Sequence, residues 1–223
     1  MGYLDPSRIT VRTGTGGTSA PVIYLVDSSE HPLEDPQPTH TLTSTVVTLP
    51  IASWGDALTP WPAAGLYRDD PAFGGHAADT LAQLASEVMP HVEATHGLSP
   101  TRRAICGYSL GGLFSLYAFT HSTSFDACGC LSGSVWYEGW VDHLATMDLQ
   151  LDGRFAFLSL GTKEKRGGTP LMRTVQDRME SCERILHDHG CEVVFVTSPG
   201  NHMQHVPERI ATGLQALDGF LAR

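Results

Sequence analysis

The sequence predicts an α/β fold in which a mostly parallel central sheet carries helices on both faces. Short β-branched runs alternate with longer segments of helical period from residue 22 onward, an order that is typical of strand–helix units. The runs are apolar almost throughout, as expected of strands that are covered on both faces. With 223 residues, 41% of them apolar, the chain is long enough to form the core of a single domain over 1–223.

Six short apolar runs are the predicted strands. They cover residues 22–26, 45–50, 103–107, 127–132, 154–160 and 192–197. Parallel strands joined by helices all end at the same edge of the sheet, so the loops that follow these runs are expected to lie close together.

Three segments have the periodicity of amphipathic helices. Apolar residues recur three and four positions apart within 78–95, where Pro90 is expected to kink the helix. A second apolar stripe covers 171–186, and Gly190 is well placed to cap its C terminus. A third stripe covers 210–221.

The segment 51–77 differs from its neighbours because it is rich in proline and glycine and also contains Trp54 and Trp61. Such a composition does not suit a core element. Long loops in compact domains are usually functional or mobile. We therefore expect a long loop near the functional site.

Charge and composition exclude several classes of protein. A formal net charge of −10 argues against binding to nucleic acid. No apolar run reaches the roughly 18 residues of a membrane span, and the N terminus lacks the order of a secretory signal. The five cysteines suit reduced, buried thiols better than disulfides. We therefore expect a cytoplasmic protein that does not bind a membrane; a homo-oligomer remains open.

Ser109 is the candidate nucleophile. The predicted strand 103–107 leads into Gly-Tyr-Ser-Leu-Gly-Gly and then into an apolar helical segment, which is the context of a G-x-S-x-G nucleophile elbow. The N–H of Leu110 is expected to stabilise negative charge, with Ser28 or Ser29 supplying the second oxyanion donor. The alternative is a tight turn whose glycines serve only close packing.

A serine nucleophile needs a base and an acid, which follow it along an α/β-hydrolase chain in the order serine, acid, histidine. Two histidines follow the last predicted strand, and we favour His202 over His205 as the base. Glu164, directly after the strand 154–160, is the candidate acid, with Glu138 as the second choice. The charged run at 163–166 is also typical of an ordinary solvated cluster.

The remaining candidate residues concern substrate and metal. Trp136 and Tyr108 are candidate substrate contacts, because both fall near the expected carboxyl edge of the sheet. No metal or organic cofactor is expected, since the proposed chemistry needs none. The Cys and His pairs lack the spacing of a structural zinc site; they are Cys128-x-Cys130, His187-x-His189 and His202-x-x-His205.

Seven segments together resemble the Putative esterase family of α/β-hydrolases, which includes enterobactin-type siderophore esterases and esterase D. The resemblance covers roughly residues 20–222. The segments are PVIYLVD, DALTPWP, EVMPHVEATHG, GYSLGGLFSLYA, FDACGCLSGSVWYEGW, LGTKE and GNHMQHVP.

This resemblance implies an α/β-hydrolase fold with Ser109 as nucleophile, His202 as base and Glu164 as acid. The Val-Pro pair at 206–207 matches the family motif that places His202 ahead of His205, and the family carries a proline at the position of Pro90. The chain departs from the family pattern at two places. Trp-Gly stands before Asp56 where an arginine is usual, and Ser-Gly-Ser stands at 132–134 in place of Ser-Pro-Ser.

The expected function is that of a serine esterase, which hydrolyses carboxylic esters through an acyl-enzyme on Ser109. Siderophore-type esters and small acyl esters are the expected substrates, so the expected partner is a small-molecule ester. The alternatives are a thioesterase or acyltransferase that uses the same residues, and a hydrolase-like binding protein without turnover.

Overall fold

The computed structural model describes residues 3–33 and 42–223. Seven strands lie in this part of the chain: β1 (Thr10–Arg12), β2 (Val22–Ser28), β3 (Thr45–Ile51), β4 (Arg103–Tyr108), β5 (Ala127–Leu131), β6 (Phe155–Gly161) and β7 (Glu192–Ser198). They form one sheet in the order β1-β3-β2-β4-β5-β6-β7. Strand β1 is antiparallel to β3, and every other neighbouring pair is parallel. The predicted fold class is confirmed.

The helices connect these strands or follow them. They are α1 (Trp54–Ala57), α2 (Ala77–Gln83), α3 (Met89–Thr95), α4 (Leu110–His121), α5 (Trp140–Thr146), α6 (Val175–Asp188) and α7 (Val206–Leu221). Short 3₁₀ turns cover Pro6–Arg8, Glu164–Arg166 and Met172–Thr174. No helix within residues 3–33 and 42–223 has the length and apolar character needed to cross a membrane.

The two faces of the sheet pack into two separate cores. Side chains alternate along a strand, so Tyr24 and Val26 of β2 enter one core, while Ile23 and Leu25 enter the other. The first core is formed with helices α1 to α6, and the second with α7. The six predicted strands are all present. Strands β2 to β6 are apolar and covered on both faces, whereas β7 lies at an edge of the sheet and none of its residues is fully buried.

The predicted helix 78–95 is interrupted rather than simply kinked. A π-helical turn over Leu84–Val88 separates α2 from α3, and Pro90 lies in the first turn of α3. Proline has no N–H group and its ring crowds the preceding turn, so an unbroken α-helical ladder cannot pass through this position. The wider π turn carries the chain past it.

Gly190 ends helix α6 as the sequence predicted. Its φ angle is +86°. The N–H of Cys191 donates to the carbonyl of Leu186 at 3.1 Å, and the N–H of Gly190 donates to the carbonyl of His187 at 3.0 Å. These two bonds form a Schellman motif, in which glycine adopts the left-handed conformation at little cost.

Candidate active site

Ser109 occupies a sharp turn between β4 and α4. Its φ and ψ angles are 60° and −122°, a combination that is strained for any residue other than glycine. The turn is so tight that a Cβ atom on Gly107 would overlap the backbone of Gly111. A Cβ on Gly112 would lie 3.0 Å from the carbonyl oxygen of Gly107. The glycines therefore let the strand and the helix approach closely enough to present the Ser109 hydroxyl at the carboxyl edge of the sheet.

Two side chains from later loops form a hydrogen-bonded chain with Ser109. His202 follows β7, and its Nε2 lies 3.0 Å from Oγ of Ser109. Its Nδ1 lies 2.9 Å from Oε2 of Glu164, which follows β6. An ionised carboxylate only accepts hydrogen bonds, so Nδ1 carries the proton. The lone pair of Nε2 then faces the hydroxyl of Ser109.

The carboxylate of Glu164 is buried and almost fully engaged. Its Oε1 accepts from the N–H of Gly161, from Oγ of Ser132 at 2.8 Å and from Nη1 of Arg209 at 3.1 Å. Burial alone would raise the pKa of Glu164, but the hydrogen bond and charge of His202, with the bonds from Gly161 and Ser132, outweigh it and lower the pKa. Glu164 is therefore ionised at neutral pH.

Arg209 of α7 is the residue at this site that the sequence analysis missed. Its side chain is buried, and besides Glu164 its Nη1 donates to the hydroxyls of Tyr108 at 2.9 Å and Ser132 at 3.0 Å. Its Nε donates to Oγ of Ser198 at 2.7 Å. The sequence did carry a signal for it: Arg209 is a charged residue directly before the apolar stripe 210–221 of a packed helix.

Tyr108, the other expected substrate contact, is not among the residues that line the cleft. Its hydroxyl donates to the carbonyl oxygen of His202 at 2.6 Å and accepts from Arg209. Burial raises the pKa of Tyr108, although Ser132 and Arg209 partly offset it, so the phenol keeps its proton and can donate. Tyr108 thus holds the backbone of the His202 loop.

Acidification is expected to destabilise the native state through Glu164. Its pKa in the folded protein is lower than in the unfolded chain. Its contribution to the free energy of unfolding is therefore complete above the unfolded value of about 4.3 and is lost as pH falls through the folded pKa. Urea unfolding between pH 7 and pH 3 should show a steeper fall in stability for the wild type than for Glu164→Gln. Parallel curves would contradict this expectation.

The expected second oxyanion donor is not available at Ser28 or Ser29. The N–H of Ser28 donates to Oδ1 of Asp27 at 2.7 Å, and the N–H of Ser29 donates to the carbonyl of Ile51 at 2.9 Å. The first donor is occupied by the carboxylate of the preceding residue, and the second is occupied because the chain still pairs with the end of β3. The N–H of Leu110, at the first position of α4, has no acceptor inside its own helix.

A cleft of about 520 Å³ opens over Ser109, within the range of small-molecule sites. Its walls are mainly apolar. Trp54, Leu66 and Phe73 of the segment 51–77 contribute to them, as does Trp136, the expected substrate contact. The long segment 51–77 therefore forms one wall of the cleft, although α1 gives it a short helical turn.

The second-choice residues lie outside the hydrogen-bonded chain. Nδ1 of His205 is 3.9 Å from Oε1 of Glu208, and Glu138 contributes its backbone carbonyl to Nε1 of Trp61. Within the described ranges, no three His, Cys, Asp or Glu side chains are grouped so that they could hold a metal ion.

The fold and the hydrogen-bonded chain define the class of protein: it is an α/β-hydrolase. A family model described as "Putative esterase" matches residues 6–196. The chain belongs to this esterase family.

A curated relative and two solved structures are similar to this chain. Uncharacterized protein YbbA of Bacillus subtilis (strain 168) is 30% identical over 138 residues, which are 60% of this chain. The match covers 55% of YbbA, so the chain spans about half the length of this relative.

The solved structures share the fold over most of the chain. Siderophore hydrolase EstA from Aspergillus nidulans is 22% identical with a TM-score of 0.67, over 95% of this chain and 89% of EstA. An IroE-like serine hydrolase from Shewanella oneidensis is 17% identical with a TM-score of 0.75, over 95% of this chain and 75% of its own. At these identities the likeness confirms the α/β-hydrolase fold.

Proposed function

We propose that the protein is a serine esterase in which Ser109 is the nucleophile, His202 the general base and Glu164 the residue that orients the imidazole. The observation that carries the proposal is the hydrogen-bonded chain, with 3.0 Å from Ser109 Oγ to His202 Nε2 and 2.9 Å from His202 Nδ1 to Glu164 Oε2. A serine hydroxyl is a weak nucleophile until an adjacent base accepts its proton. The arrangement supplies that base.

The reaction has two halves. Oγ of Ser109 attacks the ester carbonyl carbon while Nε2 of His202 takes the hydroxyl proton, giving a tetrahedral intermediate whose oxyanion faces the N–H of Leu110. The C–O bond then breaks, and the imidazolium gives its proton to the leaving alcohol. Water, deprotonated by His202, then attacks the acyl carbon; the C–O bond to Ser109 breaks, the imidazolium returns its proton to Oγ, and the carboxylic acid leaves.

The cleft and one structural neighbour support a proposed substrate class. A volume of about 520 Å³ and apolar walls suit an ester with an apolar acyl or alcohol part. EstA is a siderophore hydrolase. Siderophore-type esters and small acyl esters are therefore the candidate substrates, with no other partner required for catalysis.

A cytoplasmic location is part of the proposal. All five thiols are free and buried. Burial raises the pKa of both Cys106 and Cys182 to about 12, so these thiols stay protonated and unreactive at neutral pH. Such cysteines suit a reducing compartment.

Labelling with a fluorophosphonate probe tests the assignment of the nucleophile. The probe phosphonylates an activated serine, so we expect peptide mapping to find the adduct on Ser109 and hydrolysis of 4-nitrophenyl butyrate to stop in proportion to labelling. Prior heat denaturation should abolish labelling, because an unfolded serine has no base beside it. A folded protein that hydrolyses the ester without modification of Ser109 would refute the proposal.

A further inference from the structure

The segment 163–173, called here the basic rim, concentrates the positive charge of an acidic protein. It contains four of the 14 Lys and Arg residues, including the two lysines of the chain, although the formal net charge of the protein is −10. The four are Lys163, Lys165, Arg166 and Arg173. Glu164 is the acidic residue of the segment.

The basic rim forms one wall of the cleft over Ser109. Lys163, Gly167, Gly168 and Met172 line the cleft. Nε and Nη2 of Arg173 each lie 3.4 Å from the carbonyl oxygen of Gly168. The guanidinium of Arg173 is thus placed against a residue of the cleft wall.

The charge of the basic rim is not neutralised locally. Glu164 is turned away from the rim, because its carboxylate is buried against His202 and Arg209. Across residues 3–33 and 42–223, no ion pair within 4.0 Å joins Lys163, Lys165, Arg166 or Arg173 to another carboxylate.

The segment 51–77, which forms another wall of the cleft, offsets only part of this charge. After the cleft residue Leu66 come Arg68, Asp69 and Asp70, with a formal sum of −1. The carboxylate of Asp70 also accepts from the N–H of Tyr67 at 3.2 Å. One wall of the cleft therefore belongs to a segment with four cations, of which Lys163 lines the cleft itself, and none of the four has an ion pair among the described residues.

We propose that the ester substrates carry an anionic group, which lies against the basic rim while the reacting carbonyl lies at Ser109. This inference rests on the proposed esterase function and specifies the charge of its substrate. An anion gains Coulomb energy from the rim, whereas a neutral ester of the same shape does not. Clefts that focus one sign of potential also speed the encounter with ligands of the opposite charge.

The expected gain is moderate because the rim is solvated. At a separation of about 7 Å and the dielectric constant of water, one cation raises the association constant of an anion by roughly threefold, and two cations raise it by roughly tenfold. The Debye length is about 8 Å at physiological salt and about 3 Å at 1 M. The preference should therefore decline at high salt.

Two matched pairs of esters test the inference. The acyl pair is 4-nitrophenyl hexanoate and mono-4-nitrophenyl adipate, which differ in a terminal carboxylate. The alcohol pair is phenyl acetate and 4-acetoxybenzoate, which place the carboxylate on the leaving group. In at least one pair we expect kcat/KM to be about tenfold higher for the anionic ester at low salt. The pair that responds shows which part of the substrate faces the rim.

The double variant Lys163→Ala/Arg173→Gln assigns the preference to the rim. It should bring the ratio of kcat/KM for the anionic ester to kcat/KM for the neutral ester close to unity. The salt dependence of this ratio should also disappear. The control Arg184→Gln/Arg223→Gln removes the same formal charge toward the opposite edge of the sheet, where α6 and α7 end, and should leave the ratio unchanged. Each double variant removes two cations, so net charge cannot explain a difference.

Each outcome decides between the two proposals. Equal kcat/KM values within both pairs at low salt, or a ratio that both double variants lower equally, would overturn the inference about the rim while leaving the esterase function intact. Failure to hydrolyse any of the four esters would instead count against the proposed function.

Discussion

Replacing Ser109 by alanine is expected to lower kcat/KM for 4-nitrophenyl esters by a factor on the order of 10⁴ or more. The variant loses the atom that forms the acyl-enzyme, so the loss should appear in kcat and no burst of 4-nitrophenol should precede steady turnover. Stopped-flow absorbance measures both quantities.

The fold should survive this substitution. Alanine keeps a Cβ atom at the φ angle of 60°, so it retains the strain of the turn, and the hydroxyl of Ser109 bonds only to side chains at the site. Urea unfolding should give a midpoint close to that of the wild type. Ser181→Ala, on the exposed side of α6, is a matched control that should keep full activity. Comparable turnover by Ser109→Ala would rule out the proposed nucleophile.

Replacing His202 by alanine should cause a loss of the same order, because the hydroxyl of Ser109 then has no base within reach. Residues that act as one unit are strongly non-additive. The double variant Ser109→Ala/His202→Ala should therefore be hardly less active than either single variant. Independent effects that multiply in the double variant would contradict a shared mechanism.

Glu164→Gln should lower kcat less than His202→Ala does, since the histidine remains in place. The difference between the two losses should be on the order of a hundredfold. Glutamine cannot select the tautomer with the proton on Nδ1 as a carboxylate does, and it leaves the charge of Arg209 unpaired. A Glu164→Gln variant with wild-type kcat would show that Ser109 and His202 suffice alone.

Much of the fold could be predicted because local patterns and burial agree. The strands β2 to β6 are short apolar runs that are covered on both faces, and this context requires such sequences. The antiparallel strand β1 was not predicted, since Thr10–Arg12 is only three residues long, too short to show a clear alternation of apolar and polar residues. The π turn before Pro90 also escaped prediction, because apolar spacing does not distinguish it from an α-helix.

The candidate site was predictable where one segment carries the signal. Gly-Tyr-Ser-Leu-Gly-Gly fixes the turn of Ser109 by local sterics alone. Ser28 and Ser29 failed as oxyanion donors because the N–H of Ser28 bonds to the carboxylate of Asp27 and the N–H of Ser29 to the end of β3, and the sequence specifies neither contact. The roles of Tyr108 and Arg209 depend on contacts between residues 101 positions apart, and local patterns do not report such contacts.

Arg209 joins parts of the chain that are remote in sequence. One guanidinium reaches the last residue of β4 at Tyr108, the loop after β5 at Ser132 and the turn after β6 at Glu164, and it does so from the first turns of α7. Undocking of α7 alone would release all three contacts while every strand stayed paired. Enzymatic activity should therefore be lost at or before the point at which the sheet unfolds. An activity assay thus detects loss of the native state at least as early as a measurement of β-strand content.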